Sequence, residues 1–128
     1  MSKTTLYDVN ADGKAYVIIA GRFQGQGVAN PLYPIASPPG WTVAHTGVVG
    51  KLRVTFADRY SALISMVVSL ECDGGSDTDS FTIQTGDFVQ GTNPYIDIYT
   101  DEGTTNQDLP ASVHVNFVAI FQNTAVRQ

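Results

Sequence analysis

The sequence holds a single cysteine, Cys72, so no disulfide can close within the chain, and one thiol cannot by itself make a zinc site. Positive charge is also scarce. Three lysines and four arginines are scattered over 128 residues against twelve Asp and Glu, giving a net charge of -5. Phosphate neutralisation needs clustered Lys and Arg, so this distribution argues against a nucleic-acid partner. Long apolar runs are missing too: nothing approaches the roughly 18 consecutive apolar residues of a spanning helix. The N-terminal Met1-Ser2-Lys3-Thr4-Thr5 lacks the apolar stretch of a secretory signal. Synthesis in a cytoplasm and no membrane partner are the resulting expectations. Yet with only 15% charged residues the chain is too apolar to stay disordered, and its length suits one compact domain. Stability must come from packing or association.

Leucine is rare, 6 residues against 14 Val, 8 Ile and 13 Thr, and β-branched side chains fit a pleated surface better than a helix. The 12 glycines and 6 prolines leave few long windows without a breaker. Strands are therefore expected at Ala15 to Phe23, Trp41 to His45, Lys51 to Phe56, Ala62 to Cys72, Ser80 to Gln84, Phe88 to Gln90, Tyr95 to Thr100 and Ser112 to Gln122. The first shows little alternation, which suggests burial on both faces or a bulge at Gly21. Ala62 to Cys72 is the most apolar segment and reads as a central strand. In the last strand Val113, Val115, Phe117, Ala119 and Phe121 share one face, while the other turns from His114 and Asn116 to Val118 and Ile120 and needs a cover. Gly25 to Gly40 reads as a long loop, and Asp73 to Asp77 and Asp101 to Pro110 as shorter ones. Seven or eight such strands predict an all-β antiparallel β-sandwich or jelly roll over residues 13–128, preceded by a polar N-terminal arm, residues 1–12.

Motifs for chemistry are sparse. Asp8, Asn10, Asp12 and Gly13 match the first half of a calcium loop, but its twelfth position is Ile19 and a strand follows where a helix belongs; a polar arm ending in an Asp-Gly turn is the simpler reading. Asp73, Asp77 and Asp79, with Glu71 beside them, offer carboxylates at no diagnostic spacing. The only histidines are His45 and His114, no Gly-x-Ser-x-Gly elbow exists, and Cys72 sits beside carboxylates that disfavour its thiolate. Gly21 to Gly27 leads into a Pro-rich loop instead of a helix N-terminus. No enzymatic activity, cofactor or metal is expected. Tyr33, Trp41 and Tyr95 could stack on sugar rings, although a Trp after Pro-Pro-Gly at a strand start also suits a core plug. Arg59, within Asp58-Arg59-Tyr60, could clamp a loop or a neighbouring chain.

The run from Gly40 to Tyr60 has a Thr46-Gly47 turn, a Val54-Thr55-Phe56 strand and an Asp58-Arg59-Tyr60 corner, and the apolar Ala62 to Leu70 follows it. Together with the closing His114 to Val126, it resembles small tailed-phage virion proteins, specifically capsid decoration (cement) proteins of jelly-roll type. The resemblance covers about two-thirds of the chain in outline, and Asp73 to Asp79 and Gln24 to Pro39 depart from it. It implies a structural protein with no catalytic residues, a homotrimer that binds the major capsid protein on the outside of the expanded shell and bridges capsomers. Its location would be the virion surface, after synthesis in the host cytoplasm. Under this reading Lys3, Leu6 and Tyr7 are the candidate capsid tether, and Val118, Ile120 and Arg59 the candidate subunit interface. Tail or receptor-binding trimers use similar sandwiches; under that alternative Trp41, Tyr33 and Tyr95 are the candidate glycan contacts.

Overall fold

A computed structural model of the chain describes residues 9–11, 14–25, 33–34, 40–60, 62–72, 81–110 and 113–122. The described elements are ten strands: β1 (Val9–Ala11), β2 (Lys14–Gln24), β3 (Tyr33–Pro34), β4 (Trp41–His45), β5 (Lys51–Phe56), β6 (Ala62–Cys72), β7 (Phe81–Val89), β8 (Tyr95–Glu102), β9 (Thr105–Asn106) and β10 (Val113–Gln122). They form two antiparallel sheets. One runs β1-β2-β10-β6 with β3 on the end of β2; the other runs β4-β5-β8-β7 with β9 on β8. The expected all-β sandwich is thus the fold, and its seven strands of five or more residues account for most of it. Within the second sheet β4–β5 and β7–β8 are hairpins, whereas the chain crosses between sheets after β5 and again after β6.

The core lies between the sheets, and the register shows how alternation builds it. Across β2, β10 and β6 the inward rows are Phe23, Val115, Leu70; then Gly21, Phe117, Val68; then Ile19, Ala119, Met66; then Val17, Phe121, Leu63. Opposite them stand Trp41, Val43, Leu52, Val54, Phe56, Ile96 and Ile98. Phe121 stacks with Tyr60 at 4.3 Å and meets Phe56 edge-on at 4.8 Å, so one ring joins β10, β5 and the β5–β6 connection.

Two glycines are dictated by close approach. Gly21 occupies an inward position of β2, and a Cβ there would collide with the rings of Trp41 and Phe117. The missing side chain makes the seat in which Trp41 lies edge-on to Phe117, centroids 4.9 Å apart. Gly50 has φ 76°, and a Cβ there would come within 2.6 Å of the Thr100 carbonyl oxygen, so both backbone and space require glycine.

Several sequence expectations need correction. Pairing of β2 with β10 runs unbroken through Gly21, so there is no bulge; Ile18 and Ala20 simply point outward, and the alternation was hidden because both faces carry apolar residues. β6 is an edge strand, not a central one, and β10 takes the middle. The segments Ser80 to Gln84 and Phe88 to Gln90 belong to one strand, β7, interrupted by a register shift between Thr85 and Phe88. The arm expected over residues 1–12 ends sooner, because Val9–Ala11 zips onto β2 with Asn10 opposite Ala15. Tyr33–Pro34, within the expected loop, pairs with the end of β2.

The packing at Gly21 yields a test. Gly21→Ala is expected to lower unfolding free energy by about 1–3 kcal/mol, the usual cost of overpacking a filled core. Chemical denaturation followed by Trp41 fluorescence measures it, and an unchanged midpoint would contradict the seat.

Candidate functional site

The outward side of the first sheet carries a surface that no other described element covers. Its rows across β2, β10 and β6 follow from the same register: Gln24, His114, Glu71; Arg22, Asn116, Ser69; Ala20, Val118, Val67; and Ile18, Ile120, Ser65. The upper two rows are polar and tied together. Arg22 donates to a Glu71 carboxylate oxygen at 2.9 Å, and Asn116 donates to the other oxygen at 3.2 Å, so the charges on this end are matched across three strands. Below them the surface is apolar. Val118 is 42% exposed and Val67 63%, and the register shift in β6 opposite Ile120 leaves Ile64, 52% exposed, beside the same strip. With exposed Ala20 and half-buried Ile18 and Ile120, these residues form one contiguous apolar strip bordered by an ion pair. A patch of this kind, rimmed by polar groups, is a candidate association surface.

The outward side of the second sheet is of a different kind. Arg53 makes two hydrogen bonds to Asp97, at 2.8 and 3.2 Å, and its guanidinium stands 3.8 Å from the Tyr95 ring centroid. Lys51 sits 3.7 Å from the same carboxylate and 5.8 Å from the Tyr99 ring centroid. Hydrogen bonding to Asp97 is the main reason the Arg53 guanidinium holds its proton even more firmly than usual. Arg53, Lys51 and Asp97 thus pair with one another across β5 and β8.

One buried polar cluster lies at an end of the sandwich. Asp108, its side chain 2% exposed, accepts at Oδ1 from His45 Nε2 at 2.9 Å and from the Gly50 amide at 2.8 Å. The Thr100 amide donates to the Gly50 carbonyl at 2.9 Å, and the Thr100 hydroxyl to that of Gln107 at 2.6 Å. The cluster ties the β4–β5 hairpin to the segment preceding β10. Among the described residues no three His, Cys, Asp or Glu side chains converge as metal ligands would.

The residues singled out from sequence separate as follows. Val118 and Ile120 share the apolar strip, as expected, with Ile18 and Ala20 of β2. Arg59 does not join them: it is exposed in the β5–β6 connection and donates to Thr92 Oγ1 at 3.2 Å, fixing that connection to the β7–β8 turn. Trp41 is 3% exposed, which corrects its reading as a glycan contact; it lies in the core, and it edges an open hollow of about 420 Å³ that Thr42, Thr55, Phe56, Ala57 and Asn93 also line. Tyr95 lies on the outward side of the second sheet beneath Arg53, so Trp41 and Tyr95 form no common stacking platform. Tyr33 stands in β3 opposite Gln24. Lys3, Leu6 and Tyr7, and the acidic loop Asp73 to Asp79, fall outside the described residues. Sequence reasoning missed Ile64 and Val67; Val67 is exposed because it faces outward opposite Val118, and Ile64 because it sits at the register shift. It also missed the His45–Asp108 pair, 63 positions apart and without a motif.

Neither protein-family models, curated proteins nor solved structures match the chain.

Removing the buried acceptor tests the cluster. Asp108→Ala leaves the Gly50 amide and His45 Nε2 without their partner, and a loss of about 2–3 kcal/mol is expected, as for a hydrogen bond to a charged group. Urea unfolding reads it; a change under about 0.5 kcal/mol, the level of an ordinary surface substitution, would show that the cluster does not fasten the hairpin.

Proposed function

We propose that this chain is a structural virion protein, a decoration subunit that assembles as a homotrimer and binds the major capsid protein on the outside of the expanded shell, bridging capsomers. The observation that supports this reading is the apolar strip of Ile18, Ala20, Ile64, Val67, Val118 and Ile120 on the outward side of the first sheet. A lone small sandwich gains nothing by leaving so much β-branched surface in water, whereas three copies around an axis cover it in a closed ring. The second sheet, where Arg53 and Lys51 pair with Asp97, is then the side left to solvent. Three footprints per trimer act together on the shell, and such linkage commonly raises apparent affinity by about 10²-fold or more. Residues Lys3, Leu6 and Tyr7 are the tether in this reading. The receptor-binding alternative is weakened by Trp41, whose ring the core encloses.

Light scattering on the purified chain is expected to give three times the 13.7 kDa monomer mass at micromolar concentration. Val118→Asp combined with Val67→Asp should return it to monomer with its β-sheet circular dichroism intact, since both side chains face outward. A stable wild-type monomer would sink the trimer. The shell reading is tested separately by co-sedimentation with expanded, tail-free heads that lack this protein. Saturable binding in symmetry-related copy number, reduced on deleting residues 2–8 without loss of the trimer, is the expected result. Absence of binding would overturn it.

A further inference from the structure

We propose that His45 is an acid-operated latch on the tip of the β4–β5 hairpin, holding the Gly47 amide while its ring is neutral and releasing it when the ring takes up a second proton. The inference rests on which atom of the ring meets which group. His45 Nδ1 lies 2.9 Å from the Gly47 amide nitrogen. A backbone N–H can only donate, so Nδ1 must present its lone pair and carries no hydrogen. The single ring proton is therefore on Nε2, which faces the buried Asp108 carboxylate oxygen at 2.9 Å. One neutral tautomer satisfies both contacts, and no other does.

Protonation at Nδ1 breaks one contact and keeps the other. The imidazolium presents an N–H to the Gly47 N–H, donor against donor, so that hydrogen bond is lost. Nε2–H still faces Asp108, now as a charged pair, and the core side of the cluster is retained. The released end is the exposed end. Val48 and Val49, both near half exposed, form the turn after Gly47, where the Thr46 hydroxyl accepts from the Val48 amide at 3.2 Å. Among the described residues, Asp108 is the charged group that contacts the ring, and Glu102 at the end of β8 is exposed. Lys51 and Arg53 of β5, and Asp97 and Asp101 of β8, occupy outward positions of their strands. Protonation thereby frees the Gly47 amide at the two-valine tip, while the Thr46 amide on the Lys51 carbonyl at 3.2 Å and the Lys51 amide on the Val48 carbonyl at 3.1 Å are left in place.

Nitrogen-resolved NMR of the full chain tests this over a pH titration. At neutral pH the His45 ring is expected in the Nε2–H form. On acidification the His45 ring and the Gly47 amide should shift with one common midpoint. The protection of the Gly47 amide, taken against its intrinsic exchange rate at each pH, should then fall about five- to tenfold, the worth of one ordinary hydrogen bond, while core amides of β10 keep their protection. His45→Asn keeps a side-chain oxygen able to accept from the residue two positions on but cannot titrate, so its tip should not respond. The proposal is overturned by a neutral Nδ1–H form, by a Gly47 amide that stays put while His45 titrates, by a His45 that stays neutral until the chain unfolds, or by the same tip response in His45→Asn. The wild-type titration decides the matter even if the variant fails to fold.

Discussion

Strand β10 is paired along its whole length on both sides, with nine residues of β2 and ten positions of β6. That double pairing fixes the direction of every side chain it carries, because a slip of one residue would exchange its two faces. Val113, Val115, Phe117, Ala119 and Phe121 are thereby committed to the core, and His114, Asn116, Val118 and Ile120 to the outside. The apolar strip is thus the outer half of the same strand that builds the core, and the register that forms one presents the other.

The second sheet depends on this arrangement through Trp41. Its ring reaches across to Gly21 and Phe117, so the inner rows of the two sheets interlock at a place where only a glycine fits. At the other end the Asp108 cluster performs the corresponding task with polar groups, tying the β4–β5 hairpin to the segment that feeds β10. The two fastenings differ in chemistry. One is an aromatic ring packed against a vacant Cβ position, the other a buried carboxylate that accepts from an imidazole and a backbone amide.

Much of this was legible in the residues. Alternation in Lys51 to Phe56 and Ser112 to Gln122 announced half-buried strands, and the change from His114 and Asn116 to Val118 and Ile120 marked the face that needs a cover. Where the reading failed, two faces of similar polarity were the cause. Ala62 to Cys72 looked central because Ile64 and Val67 are as apolar as their inward neighbours; only the neighbour order reveals an edge. Gly21 looked like a bulge because its purpose lies in a ring twenty residues away. The pairing of His45 with Asp108, and the use of Arg59 on Thr92, arise from connections between sheets that no local pattern encodes.

The edge position of β6 also bears on how the protein is made. Along its eleven residues this strand has no lysine, arginine or proline, and its single acid, Glu71, is neutralised by Arg22. Natural sheets usually blunt an edge with such residues. Among the described residues nothing pairs with the outer edge of β6, which therefore lies beside the apolar strip with its backbone groups open to another chain. For the trimer proposed above, assembly would have to outpace edge-to-edge accretion, a competition in which the concentration of free subunits weighs on the yield.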